Sequence, residues 1–132
     1  MNANENTLID AAKAVRAHAY APYSKYLVGA ALLDDAGKIH TGCNVENSAY
    51  PEGVCAEATA IGAMIGAGSR RIVAIAAVGG REEIEACTPC GGCRQKIAEF
   101  SDNDTRVILI GEDGGIESHS IAELLPGFFR LN

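Results

Sequence analysis

Residues 72–79, IVAIAAVG, offer no polar side chain on either face of a strand. Successive strand residues point to opposite faces, so a strand this apolar must be covered on both sides. RVILI at 106–110 makes the same demand. Two such strands require a sheet with helices over both faces, and the flanking segments can supply them.

Residues 7–20 (TLIDAAKAVRAHAY) read as a helix, with Leu8, Ala12, Val15 and Ala19 at helical spacing. Thr7 is its expected cap, Asp10 falls in its first turn, and Pro22 breaks the chain beyond it. Residues 27–33 and 38–43 form two strands joined by a hairpin turn at Asp34–Gly37, and a loop follows at 44–53. Residues 54–67 make a helix of small side chains, and a second packed helix runs over 91–100. Gly114-Gly115 turns the chain into a weaker strand at 116–119. Ser120 to Glu123 carries a capping-box pattern that opens a short helix, stopped by Pro126-Gly127. The order α-β-β-α-β-α-β-β-α predicts an α/β fold: a three-layer α-β-α sandwich with a mixed five-stranded sheet, spanning 1–132 as one domain.

With 132 residues, 48% of them hydrophobic, the chain has core enough to do without disulfide staples. Its start, MNANENT, has neither a basic region nor an apolar run, so no signal peptide is expected. No apolar stretch approaches the roughly 20 residues that span a bilayer. A soluble, cytoplasmic protein is the expectation. The net charge of −6, with no basic cluster longer than Arg70-Arg71, disfavours binding nucleic acid through its phosphates. A small neutral or weakly charged ligand fits better.

The five cysteines are Cys43, Cys55, Cys87, Cys90 and Cys93. In a reducing compartment they are core residues, metal ligands or catalytic groups rather than a disulfide framework. Cys90 and Cys93 form a C-x-x-C in TPCGGC, at the start of a helix. Unpaired N–H groups and the helix dipole there stabilise thiolate, the form that binds metal. Alone, that pair could equally be a redox couple or two packed thiols. Cys55, in PEGVCAEATA, falls at a second helix start, with Glu57 two places on. Residues i and i+2 of a helix do not face each other, so the two cooperate only with Cys55 at the very beginning, where Pro51 and Gly53 place it. Both helix starts follow strands or loops on the same side of the sheet. Three thiolates leave the fourth tetrahedral position of zinc open, as in catalytic sites. A nearby carboxylate can then take and return a proton. A Cys or His, then x-Glu, then a later Pro-Cys-x-x-Cys, is the established signature of zinc deaminases. Two rivals use the same residues. Cys87, Cys90 and Cys93 resemble part of an iron–sulfur run, completed by Cys43 or Cys55. A closed structural zinc site, completed by His40 or Cys87, would instead serve partner binding. Outside those rivals, Cys43 and Cys87 read as bystander thiols.

Taken together, AYAPYSKYLVGAAL, GCNVENSAYPEGVCAEATA, TPCGGCRQ and ELLPGFF resemble the small, zinc-dependent, homotetrameric cytidine deaminases over nearly the whole chain. The resemblance implies hydrolytic deamination of cytidine and deoxycytidine to uridine and deoxyuridine, in pyrimidine salvage. It implies one Zn²⁺ per subunit, held by Cys55, Cys90 and Cys93, with Glu57 as the catalytic proton carrier. Asn44 and Glu46 would hold the ribose hydroxyls, Tyr26 would pack near the base, and Ala56 would give it a backbone contact. Tyr50 and Phe129 match residues that a neighbouring subunit contributes, so active sites would be shared between subunits. Blasticidin S deaminases share C-A-E and P-C-G-x-C-R-Q, but the NVEN segment at 44–47 argues for a nucleoside. One position departs: many relatives carry arginine after the glutamate, where it offsets thiolate charge, and this chain has Ala58. Three thiolates about Zn²⁺ sum to −1. The two helix N-termini and Arg94 are the expected compensation.

Overall fold

The computed structural model describes residues 2–131. It contains α1 (Asn2–Arg16), β1 (Leu27–Asp34), β2 (Ile39–Cys43), α2 (Ala56–Gly66), β3 (Ile72–Gly80), α3 (Gly91–Glu99), β4 (Arg106–Ile110), β5 (Ile116–Ser120) and α4 (Ile121–Leu124). The strands form one sheet in the order β2-β1-β3-β4-β5. Strand β1 is antiparallel to both β2 and β3, β3 is parallel to β4, and β4 is antiparallel to β5. This is the mixed five-stranded sheet expected of the sequence.

The two-sided burial of the central strands is visible residue by residue. Ala30, Leu32, Ile75, Ala77, Val107 and Leu109 face one core with α2, α3 and α4. Their neighbours Ala31, Ala74, Ala76, Val78, Ile108 and Ile110 face a second core with Leu8, Ile9 and Ala12 of α1. The period of two puts helices on both sides, giving three layers. Ser120 caps α4 with the full capping box, its side chain accepting from the Glu123 N–H at 3.2 Å while Glu123 accepts from the Ser120 N–H at 2.8 Å.

The first helix differs from the sequence expectation at both ends. It begins before Thr7, which therefore lies within it rather than capping it, and Glu5 rather than Asp10 is the acid of its first turn. It stops at Arg16, well short of Pro22, because the Tyr20 backbone is engaged elsewhere. The Tyr20 N–H donates to the Asn44 carbonyl at 3.0 Å, and the Glu46 N–H donates to the Tyr20 carbonyl at 2.8 Å. A tertiary bridge to the 44–46 loop has overridden local propensity.

Two glycines let the helices lie close on the sheet. A Cβ on Gly29 would sit 2.0 Å from the Ala12 carbonyl oxygen of α1, and one on Gly42 would sit 2.5 Å from the Ala60 nitrogen of α2. Gly42 therefore sets the height at which α2, and Cys55 at its start, rest over β2. Gly42→Ala must push α2 off the sheet. Overpacking of this kind costs about 1–3 kcal/mol, which chemical unfolding would read as a lower midpoint, accompanied by weaker zinc retention. A midpoint within error of the parent would contradict this packing.

Candidate active site

Strand β1 lies between β2 and β3 and is antiparallel to both, so β2 and β3 run in the same direction. Their C-terminal ends share one end of the sheet. The segments leaving those ends lead to the starts of α2 and α3. The N-terminal end of β1, with Tyr26 just before it, lies there too, since Leu27 pairs with Gly80. Topology alone thus brings three separated sequence segments together.

The loop after β2 is folded back onto α2. Val45 and Val54 exchange backbone hydrogen bonds at 3.0 and 2.9 Å. That places Asn44 and Glu46 beside Cys55. The Asn44 side chain is tied into β1: its Oδ1 accepts from the Val28 N–H at 2.8 Å, and its Nδ2 donates to the Tyr26 carbonyl at 2.9 Å.

Cys55 is the N-cap of α2 and Cys90 the N-cap of α3, both with extended backbone. Cys93 lies in the first turn of α3 and is fully buried. The three sulfurs lie within 4.8 Å of one another, and they form the one three-ligand cluster among the described residues. Tetrahedral zinc with bonds of about 2.3 Å needs sulfurs about 3.8 Å apart, a spacing that this bound admits. Without a cation the cluster resists full ionisation. Burial pushes the Cys93 thiol up, with Glu57 and Cys55 adding to it. Burial likewise raises Cys55. The Cys93 N–H at the helix start holds Cys90 down. A dication at the centre removes that conflict, because it pairs the charges that otherwise repel.

Glu57, the second residue of α2, is only 5% exposed. Burial raises its carboxyl, while its own N–H, the Cys93 thiol and the charge of Lys96 oppose the rise. A carboxyl raised from its ordinary value is suited to carrying a proton near neutral pH. A cavity of about 550 Å³ opens above it, with Tyr26, Asn44, Glu46, Tyr50, Cys55 and Ala56 in its wall. Phe129 does not line it. That residue is 66% exposed, and its carbonyl accepts from the Gln95 side chain at 2.9 Å.

Two sequence readings need correction. Cys87 is not a bystander, because it lines the cavity and lies against the Tyr26 hydroxyl. Burial, aided by Cys87, pushes that hydroxyl up to about 12. Its spacing to Cys90 and Cys93 suggested a metal ligand and not this place, which depends on β3 packing beside the loop before α3. Arg94 is not directed at the sulfurs. Its Nε donates to the Pro89 carbonyl at 2.8 Å and its Nη1 to the Leu124 carbonyl at 2.6 Å, bracing the start of α3 against α4. The cation whose field reaches Glu57 is Lys96, one helical turn after Cys93 and silent in the motif. The rival closed zinc site lacks the fourth ligand it needs, which leaves the open three-sulfur site that the sequence led us to expect. His40 bonds instead to Asp34 at 2.8 Å in the hairpin, and neither Cys43 nor Cys87 joins the three sulfurs.

Comparison with known proteins agrees with this geometry. Residues 2–110 match the family model of the cytidine and deoxycytidylate deaminase zinc-binding region. A cytidine deaminase of Sporosarcina psychrophila is 48% identical over 92% of this chain and 88% of its own length. The crystal structure of a cytidine deaminase from Burkholderia pseudomallei superposes with a TM-score of 0.84 at 44% identity, covering 94% of this chain and 98% of that one. A blasticidin-S deaminase of Bacillus cereus is more distant, 31% identical over 83% of this chain and 81% of its own length. With its three-layer fold, its three converging sulfurs and its buried glutamate, the chain belongs to the family of zinc-dependent cytidine and deoxycytidylate deaminases.

Proposed function

We propose that this enzyme hydrolyses cytidine and deoxycytidine to uridine and deoxyuridine, releasing ammonia, as a step of pyrimidine salvage in the cytoplasm. The observation that carries this reading is the buried Glu57 carboxyl beside three convergent sulfurs, at the base of a cavity that also holds Asn44 and Glu46. Cys55, Cys90 and Cys93 would hold the zinc ion. When bound, zinc supplies the Lewis acidity that makes water a nucleophile near neutral pH.

The remaining chemistry falls to the chain's own groups. Glu57 takes a proton from the attacking water as a bond forms from its oxygen to C4 of the pyrimidine. It delivers that proton to N3, then takes the remaining proton from the new C4 hydroxyl and passes it to the amine as the C4–N bond breaks, the C4 carbonyl forms and ammonia leaves. Burial raises the Glu57 carboxyl above its ordinary value, which favours holding the proton it takes until it is passed on. Asn44 has one amide hydrogen left after bracing β1, and Glu46 is a carboxylate acceptor. Together they offer donor and acceptor to sugar hydroxyls. Tyr26 forms part of the wall against which the base packs, and the Ala56 backbone, in the first turn of α2, faces the same space.

Assembly as a homotetramer with shared sites is part of the proposal. Tyr50 is 77% exposed at the cavity wall, and Phe129 is 66% exposed at the end of the chain. Aromatics left this open, with Tyr23, Val45 and Val54 also exposed, favour contact with a neighbouring subunit. Among the described residues no helix is long and apolar enough to cross a membrane.

The test is a substrate panel of cytidine, deoxycytidine and blasticidin S, offered to the zinc-loaded protein. Ammonia is expected in equal amount to uridine or deoxyuridine, with blasticidin S turned over far more slowly. Blasticidin S as the preferred substrate would reverse the assignment of Asn44 and Glu46 to a sugar.

A further inference from the structure

Glu46 stands in the wall shared by the 550 Å³ cavity and a neighbouring one of about 420 Å³. A glutamate side chain on a loop has several rotatable bonds, and holding it in one orientation costs entropy. Something must restrain it if it is to present a fixed acceptor to a ligand. We propose that Ser24 is a positioning residue for the sugar-binding carboxylate, holding Glu46 so that one oxygen is presented to a ribose hydroxyl. This rests on the reading of Glu46 given above and adds a residue to which no role is yet attached.

Three donors converge on the carboxylate from two consecutive residues. The N–H groups of Tyr23 and Ser24 reach Oε1 at 3.0 and 3.2 Å, and the Ser24 hydroxyl donates to Oε2 in a short hydrogen bond. A carboxylate has about four acceptor positions, so about one remains, on Oε2. The Ser24 oxygen also accepts from the Tyr26 N–H at 3.0 Å. With that bond made, the hydroxyl's single proton is directed to Glu46, and the same oxygen links Glu46 to the base-side residue Tyr26. Lys25 lies between them with φ 64°, left-handed backbone that non-glycine residues seldom adopt. Its N–H closes a turn on the Ala21 carbonyl at 3.0 Å. That strained turn aims two successive N–H groups at one oxygen, and strain of this kind gathers where geometry serves function. The Ser24 hydroxyl is also the largest influence holding the Glu46 carboxyl below its ordinary value, so Glu46 stays an acceptor.

The experiment measures kcat and KM for cytidine and for 2′,3′-dideoxycytidine with the parent, Ser24→Ala, Ser24→Thr and Glu46→Ala. Ser24→Ala should raise KM for cytidine about tenfold with kcat little changed, a loss typical of a hydrogen bond to a charged group. On dideoxycytidine, which keeps its 5′-hydroxyl but lacks the 2′- and 3′-hydroxyls proposed to meet Glu46, the same substitution should change kcat/KM by less than about twofold. Ser24→Thr keeps the hydroxyl and should restore the parent value. Equal losses on the two substrates would overturn the proposal, because a merely structural role does not distinguish them. If Glu46→Ala discriminates between the substrates and Ser24→Ala does not, Ser24 alone is misassigned. If Glu46→Ala does not discriminate either, the sugar-binding reading of Glu46 falls and the proposal falls with it. Should Ser24→Ala not fold, Ser24→Cys, a weak donor of similar size, gives the same comparison.

Discussion

Glu57→Gln should lower kcat for cytidine by about 10²–10⁴-fold, the usual contribution of a positioned proton carrier, while zinc content stays at the parent level. The two halves of this result separate two roles. Glu57 is buried next to the sulfurs without belonging to their cluster, so its amide should leave the ligand set intact. Glutamine has nearly the same shape and is neutral, and a buried site already resists the charged carboxylate. Folding should therefore survive. What glutamine cannot do is take a proton from water and return it. KM should move little, because the proposed sugar contacts, Asn44 and Glu46, lie on another loop. A Glu57→Gln enzyme with kcat within threefold of the parent would remove Glu57 from the chemistry. Zinc lost together with activity would make it a ligand.

Cys93→Ala should abolish stoichiometric zinc binding and turnover together. Changes to residues that merely support a ligand already weaken metal binding by about 10–100-fold, and loss of one of three ligands should exceed that. Cys93 is the fully buried member of the cluster, so no solvent-exposed group can easily take its place. Zinc that binds only the folded state at 100 times its Kd adds about 2.7 kcal/mol of stability. Thermal unfolding with and without zinc should show a large shift for the parent and essentially none for Cys93→Ala. Cys43→Ala serves as the control, since Cys43 pairs with Gly29 in the sheet away from the cluster. A zinc-induced shift in Cys93→Ala equal to that of the parent would contradict the three-sulfur site.

The parts of this structure that the sequence made legible are those fixed by local pattern or by spacing. IVAIAAVG announced a strand covered on both faces, and Ala74 to Val78 alternate between two cores accordingly. Ser120 and Glu123 announced a cap that needs only residues three apart. Cys55, Cys90 and Cys93 could be grouped because each lies at a helix start, and parallel running of β2 and β3 puts both starts at one end of the sheet. What escaped depends on contacts between distant segments. The end of α1 at Arg16 is set by Tyr20 bonding to the 44–46 loop, which no helical period foretells. Cys87 reaches the cavity only because its loop packs beside Tyr26. Arg94 neighbours a ligand in sequence, yet the side chain runs to the Leu124 carbonyl across α4. Proximity along the chain was a poor guide to charge compensation, because a long side chain goes where unpaired carbonyls await it.

Three sulfurs, zinc and Glu57 are proposed to act together in hydrolysing the amino group of cytidine. The most direct measurement is a zinc titration of chelator-stripped protein, with cytidine turnover followed by ultraviolet absorbance at each point. The stripped protein should show no turnover, and activity should rise linearly and level off at one zinc per chain. Turnover that persists without zinc, or a fully zinc-loaded protein that leaves cytidine and deoxycytidine unchanged, would contradict the proposal.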